Sequence, residues 1–117
     1  MPNQYQSESE IVAVVSGFEN CTTGKEEFTH LSHLTVGTYY LCHSTTEEAF
    51  QKMRAGLLRF LGHHGVDPSK YKDRLTHAWI KEIQRVIEQT EAGSSLVAIT
   101  NMVIQRLHNS RITAEDK

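Results

Sequence analysis

The amino-acid sequence has none of the short motifs that strongly indicate a common enzyme class. It contains no glycine-rich phosphate-binding loop, no His-Glu-x-x-His zinc motif and no Gly-x-Ser-x-Gly nucleophile turn. Its two cysteines, Cys21 and Cys42, lie at neither a Cys-x-x-Cys nor a zinc-finger spacing. A site in this chain must therefore be sought among scattered residues.

A large excess of charge is also missing. The chain has 12 basic and 14 acidic residues, which gives a formal net charge of −2. Nucleic acids and anionic membrane surfaces select strongly basic proteins, so we predict neither kind of partner. The apolar run from Ile11 to Val15 is too short for a signal-peptide core or a membrane span, and we expect a cytoplasmic protein.

The cysteines are expected to be reduced thiols, because disulfides are rare in the cytoplasm. Cys42 precedes His43, but adjacent residues on a helix diverge by about 100°, so this adjacency is poor evidence for a catalytic pair. We predict that Cys42 packs in the core.

The hydrophobic pattern predicts an all-α protein, a single-domain bundle of about five helices over residues 1–117. Apolar residues recur at spacings of three and four, and the run from Ile11 to Val15 has no second strand-like run to pair with. Ser7-x-x-Glu10 and Thr45-x-x-Glu48 are capping boxes that open the first and third helices. Glu26 and Glu27 are expected in the first turn of the second helix, where the helix dipole favours acidic side chains. The fourth should run from Ser69 or Lys70 to Thr90, with Trp79 as a core anchor. We expect disordered tails at 1–7 and 109–117.

The segment from Phe28 to Cys42 holds the pair of histidines of greatest chemical interest. On a helix, His30 and His33 share a face, with Gly37 and Tyr40 below them. Spaced at i, i+3, they provide two nitrogen ligands for a divalent metal if another helix supplies a third. The candidates for that third ligand are His77, Asp73 and Glu27. The alternative is that both histidines are hydrogen-bonded to a carboxylate or a backbone carbonyl.

Other polar residues have simpler explanations. His77 points about 200° away from Trp79 around the helix, so we predict that it lies at the surface or at a groove edge. His63 and His64 fall in a predicted loop over residues 62–69, where they complement the negative end of a helix dipole. Several basic residues near the start of helix four either bind an anion or are simply solvated. They are Lys70, Lys72 and Arg74, with Tyr71 among them.

Three motifs resemble a family of small bacterial helical proteins of uncharacterised function. They are Phe28-x-His30-x-x-His33-Leu34, then Leu57-x-x-Phe60, then Lys70-Tyr71 followed by Leu75-Thr76-x-x-Trp79. The resemblance spans about residues 18 to 80. Where that family has His-Glu-Thr after Lys-Tyr, this chain has Lys72-Asp73-Arg74, so an ammonium that repels cations replaces the imidazole that the resemblance implies.

Three hypotheses follow for the function. The leading one is a groove between helices two and four that binds a small molecule or a metal through His30, His33, Tyr40, Lys72 and Asp73. The second is a protein-interaction module or homodimer in which the histidines are structural. The third is an enzyme that uses the same histidines as general acid and base, which would require a perturbed pKa in a pocket.

Overall fold

Five α-helices and two short 3₁₀ helices make up the computed structural model, which describes residues 4–110. The α-helices are α1 (Glu8–Glu19), α2 (His30–His43), α3 (Thr46–His63), α4 (Asp73–Glu88) and α5 (Leu96–Leu107). Within residues 4–110 there is no strand, and the radius of gyration of 13.6 Å is that of one compact unit. The predicted all-α bundle of five helices is therefore confirmed.

Two of the helices begin with the capping boxes that the sequence predicts. The Ser7 N–H donates to Glu10 Oε1 over 3.1 Å at the start of α1. The Thr45 N–H donates to Glu48 Oε1, and the Glu48 N–H donates back to Thr45 Oγ1, each over 3.1 Å. These bonds satisfy backbone donors that have no partner inside the helix.

The predicted start of the second helix is wrong by several residues. The acidic stretch forms a separate 3₁₀ turn, Lys25–Glu27, in which the Glu27 carboxylate accepts the Gly24 N–H over 3.0 Å. Phe28 is extended, and α2 begins only at His30, because the Thr29 N–H pairs with Ser32 Oγ over 3.1 Å. The Glu27 carboxylate thus caps this turn and not the start of α2.

The boundaries around the predicted 62–69 loop also move. α3 continues through His63, and α4 starts at Asp73 and ends at Glu88, so it is shorter than predicted at both ends. Between them lies a 3₁₀ turn, Pro68–Lys70, whose first residues are held by a 2.9 Å bond from the Ser69 N–H to Asp67 Oδ1. This local turn uses the backbone that a longer α4 would need.

Helix α2 is central and contacts each of the other four α-helices. Its buried threonines are satisfied internally, because Thr35 Oγ1 donates to the Leu31 carbonyl (2.8 Å) and Thr38 Oγ1 to the Leu34 carbonyl (2.7 Å). Gly37 lets α4 approach closely, since a Cβ atom there would lie 2.8 Å from Ile83 Cδ1.

Tyr5, which precedes α1, is packed, so the predicted disordered start is wrong from Tyr5 onward. Tyr5 is only 8% exposed, and its N–H and carbonyl form a pair of 3.0 Å hydrogen bonds with the Asn101 side chain. Its hydroxyl lies 2.9 Å from Thr35 Oγ1. At the other end, the Ser110 N–H donates to the Leu107 carbonyl over 3.0 Å. Residues 1–3 and 111–117 lie outside the described residues.

The predicted core position of Cys42 is wrong, and Trp79 packs only against the edge of the core. Cys42 is exposed and Cys21 half-buried, and both are free thiols. Trp79 is half-buried, since the buried face of α4 runs instead through Ile80 and Ile83.

No helix within residues 4–110 is both long enough and apolar enough to span a bilayer.

Candidate pocket between α2, α3 and α4

A cavity of about 350 Å³ lies where α2, α3 and α4 meet. The first turns of α2 contribute His30 and His33, and Gly37 lies further along the same wall. The facing helices supply mostly apolar side chains: Met53 and Leu57 from α3, and Leu75, Trp79, Ile80 and Ile83 from α4. This volume falls in the range of sites for small molecules.

The lining of the pocket is uncharged. No Asp, Glu, Lys or Arg is found among the described residues that line it. Its polar groups are the two imidazoles, the Trp79 indole and two threonines, Thr29 and Thr76. A charge brought into such surroundings loses hydration without gaining a counter-charge. The pocket therefore disfavours charged ligands.

His33 is held in its neutral form. The residue is half-buried, and its pKa is lowered from 6.5 to about 4. Burial of the ring is the main cause and the neighbouring His30 a smaller one, while a hydrogen bond with the Thr29 backbone acts in the opposite direction. The ring packs edge-on against Phe28, with 4.7 Å between the ring centroids. At neutral pH, His33 thus presents a neutral imidazole with one N–H and one lone pair.

His30 is fixed by a backbone carbonyl. Its Nε2 atom lies 3.1 Å from the Leu107 carbonyl oxygen at the end of α5, and since a carbonyl only accepts, Nε2 carries the proton. The ring also packs edge-on against Trp79, with centroids 4.9 Å apart. For His30, the alternative of a backbone hydrogen bond is confirmed.

The remaining metal candidates are not brought to the histidine pair. Asp73 forms an ion pair with Arg54 of α3 over 3.1 Å, and both side chains are largely exposed. His77 is exposed, as predicted, and its ring packs edge-on against Phe50 at 4.9 Å. Glu27 is used by the Gly24 N–H. Within residues 4–110, no group of three or more His, Cys, Asp or Glu could hold a metal ion.

Two further residues predicted for the groove also lie outside the pocket. Lys72 is exposed at the N-cap of α4 and does not line the cavity. Tyr40 lines a second groove between α1, α2 and α3, together with Glu19, Lys52 and Arg59. It shares the face of His33 but lies two helical turns, roughly 10 Å, further along α2.

The environment of Tyr40 is polar and quite different from that of the histidines. Its hydroxyl donates to Glu19 Oε2 over 2.6 Å, and the Lys52 ammonium lies 5.8 Å from the centre of its ring. Burial raises the pKa of Tyr40, and the hydrogen bond to Glu19 raises it further. Tyr40 therefore anchors α2 to α1.

Three other histidines also bond to backbone carbonyls at helix ends. His43 Nδ1 lies 2.8 Å from the Tyr39 oxygen, His108 Nδ1 3.0 Å from the Ile104 oxygen, and His64 Nε2 3.1 Å from the Thr23 oxygen. His64 thus ties the end of α3 to the turn after α1, a tertiary contact that the dipole interpretation did not foresee. Much of the histidine content is structural.

The apolar side of the pocket was not recognised as such from the sequence. Helical spacing places Leu57, Leu75 and Trp79 on the apolar stripes of their helices, and each of them is half-buried and lines the cavity. Leu57 and Leu58 are the signal of this apolar wall in the sequence, because two adjacent leucines make the apolar stripe of α3 wider than one neighbouring helix can cover.

No protein-family model, curated protein or solved structure matches this chain. The family resemblance stays a prediction carried by its motifs. Those motifs nevertheless meet in space: Phe28, His30, His33, Leu34, Leu57, Leu75, Thr76 and Trp79 all line the pocket. Phe60, Lys70 and Tyr71 do not. Residues about 50 positions apart in the resemblance thus share one cavity.

Proposed function

We propose that the protein binds an uncharged, largely apolar small molecule in the pocket between α2, α3 and α4. The observation that carries this proposal is a cavity of about 350 Å³ with apolar and aromatic walls, a few polar groups and no charged side chain. This is the usual composition of small-molecule sites, in which apolar walls supply affinity and a few polar groups orient the ligand.

The other two hypotheses have less support. A general base works best with a pKa near the working pH, and the pKa of about 4 makes His33 a weak base at neutral pH. An interaction face needs a contiguous exposed apolar patch, whereas Val12, 39% exposed, is the one large hydrophobic residue that is exposed in the described part of the chain.

Trp79 provides a direct test because it is the only tryptophan in the sequence and lines the pocket. The probe is N-phenyl-1-naphthylamine, an uncharged aromatic dye. Titrating it at neutral pH should quench Trp79 emission in a saturable way with one site per chain, through energy transfer to the bound dye. Quenching that rises linearly without saturation would show that the pocket does not bind the dye.

A matched pair of variants on α3 locates the binding. Leu57→Phe adds bulk inside the pocket, whereas Leu58→Phe makes the same change at a half-buried neighbour that does not line it. We expect about tenfold weaker dye binding for Leu57→Phe, or about 1.4 kcal/mol, and little change for Leu58→Phe. Equal affinities in the two variants would contradict binding in this pocket.

A further inference from the structure

The polar groups of the pocket differ in what they can offer a ligand. In neutral form, each imidazole has one N–H donor and one lone pair. The N–H of His30 is used, because Nε2 donates to the Leu107 carbonyl over 3.1 Å. The Thr29 backbone raises the pKa of His33 by hydrogen bonding, which is the effect of a carbonyl accepting the ring N–H. What both rings have left is a lone pair.

His33 is the better placed of the two rings to use that lone pair on a ligand. Its ring packs against Phe28, at the edge of the cavity that Phe28 also lines, whereas the His30 ring is held between Trp79 and the end of α5. An occupant without a donor would bury the His33 lone pair away from water, and leaving such a group unsatisfied is unfavourable.

We propose that the ligand is an aromatic compound with a single hydrogen-bond donor, an indole-like N–H or a phenol-like O–H, which donates to the lone pair of the neutral His33 ring. This inference rests on the proposed function. The aromatic class follows from the rings of Phe28, His33 and Trp79 around the cavity, since ring edges and faces pack best against another ring. Ammonium and carboxylate ligands are disfavoured because the lining offers no opposite charge.

Indole and benzofuran test the donor directly, because they match in shape and differ in whether the five-membered ring contains N–H or oxygen. Isothermal titration calorimetry at neutral pH should show indole binding about tenfold tighter than benzofuran to the unaltered protein. Benzofuran is the less polar of the two, so apolar burial alone predicts the opposite order. Equal binding, or tighter benzofuran binding, would overturn the inference.

His33→Phe removes both ring nitrogens and keeps an aromatic ring of similar size, so the preference for indole should disappear. His77→Phe is the matched control, because His77 is exposed and outside the pocket, and it should keep the preference. A preference that survives in His33→Phe would also overturn the assignment. The comparison on the unaltered protein stands whether or not this variant folds.

The dye titration separates this failure from failure of the proposed function. If N-phenyl-1-naphthylamine saturates the pocket while indole has no advantage over benzofuran, the binding function stands and the donor assignment falls. If neither the dye nor either bicyclic compound binds, both proposals are wrong.

Discussion

Acidification should destabilise the protein through His33. In the folded chain, burial holds the pKa of this ring at about 4, against 6.5 in its ordinary environment. Such a difference corresponds to about 3 kcal/mol between the two protonation states. Since His33 sits at the junction of α2 with the pocket, protonating it places an unpaired charge among apolar side chains.

The direction of the effect follows from proton binding in the two states. Above pH 6.5 the ring is neutral whether the chain is folded or unfolded, so no penalty applies. Between pH 6.5 and 4 the unfolded chain binds the proton and the folded chain does not, so the free energy of unfolding falls as the pH falls. We expect a loss of about 2 kcal/mol by pH 5 and about 3 kcal/mol by pH 4.

Urea unfolding at pH 7 and pH 5 measures this loss, and a variant isolates the contribution of His33. His33→Phe cannot be protonated, so its free energy of unfolding should fall between the two pH values by about 2 kcal/mol less than that of the unaltered protein. His77→Phe, which replaces an exposed ring, should behave like the unaltered protein. If all three proteins lose the same stability, the burial argument for His33 is refuted.

Two substitutions test the packing around the pocket and the separation of the two grooves. Gly37→Ala should change the free energy of unfolding by less than about 1 kcal/mol, because the better helix propensity of alanine offsets the crowding between its Cβ atom and Ile83 Cδ1, which would be 2.8 Å apart. The substitution should nevertheless weaken dye binding, because it displaces Ile83 into the cavity. Urea unfolding and the dye titration measure the two effects, and unchanged dye binding would argue against the displacement of Ile83 into the pocket. Tyr40→Phe should lower the free energy of unfolding in urea by about 1 kcal/mol, because it removes the 2.6 Å hydrogen bond to Glu19. Indole binding should not change, and weaker binding would show that the two grooves are coupled.

The fold could be predicted from the sequence because its signals are local. Apolar residues at spacings of three and four mark the helices, and a capping box such as that of Thr45 needs only Glu48, three residues away. Helix boundaries were harder where two local structures compete. The carboxylate of Glu27 suits the first turn of a long helix, but it also closes a 3₁₀ turn on Gly24, and the turn wins.

The site could be predicted only in part, because its partners come from distant segments. His30 and His33 belong to one helix, so their shared face follows from helical geometry, and both line the pocket. Whether Asp73 meets them depends on how α3 and α4 pack, and in the fold Arg54 of α3 pairs with that carboxylate. The Leu107 carbonyl that binds His30 is 77 positions away in the sequence and leaves no signal there.

Two features of the pocket are unfavourable for stability, and they occur at the same place. A cavity between apolar side chains provides fewer packing contacts than a filled core, and a neutral imidazole in apolar surroundings adds a further penalty in acid. A leucine or phenylalanine at position 33 would remove the penalty in acid, because neither side chain can be protonated. A bound molecule would restore the lost packing contacts, and a donor on it would pair with the lone pair of the neutral His33 ring, which is why we propose that this pocket carries the function of the protein.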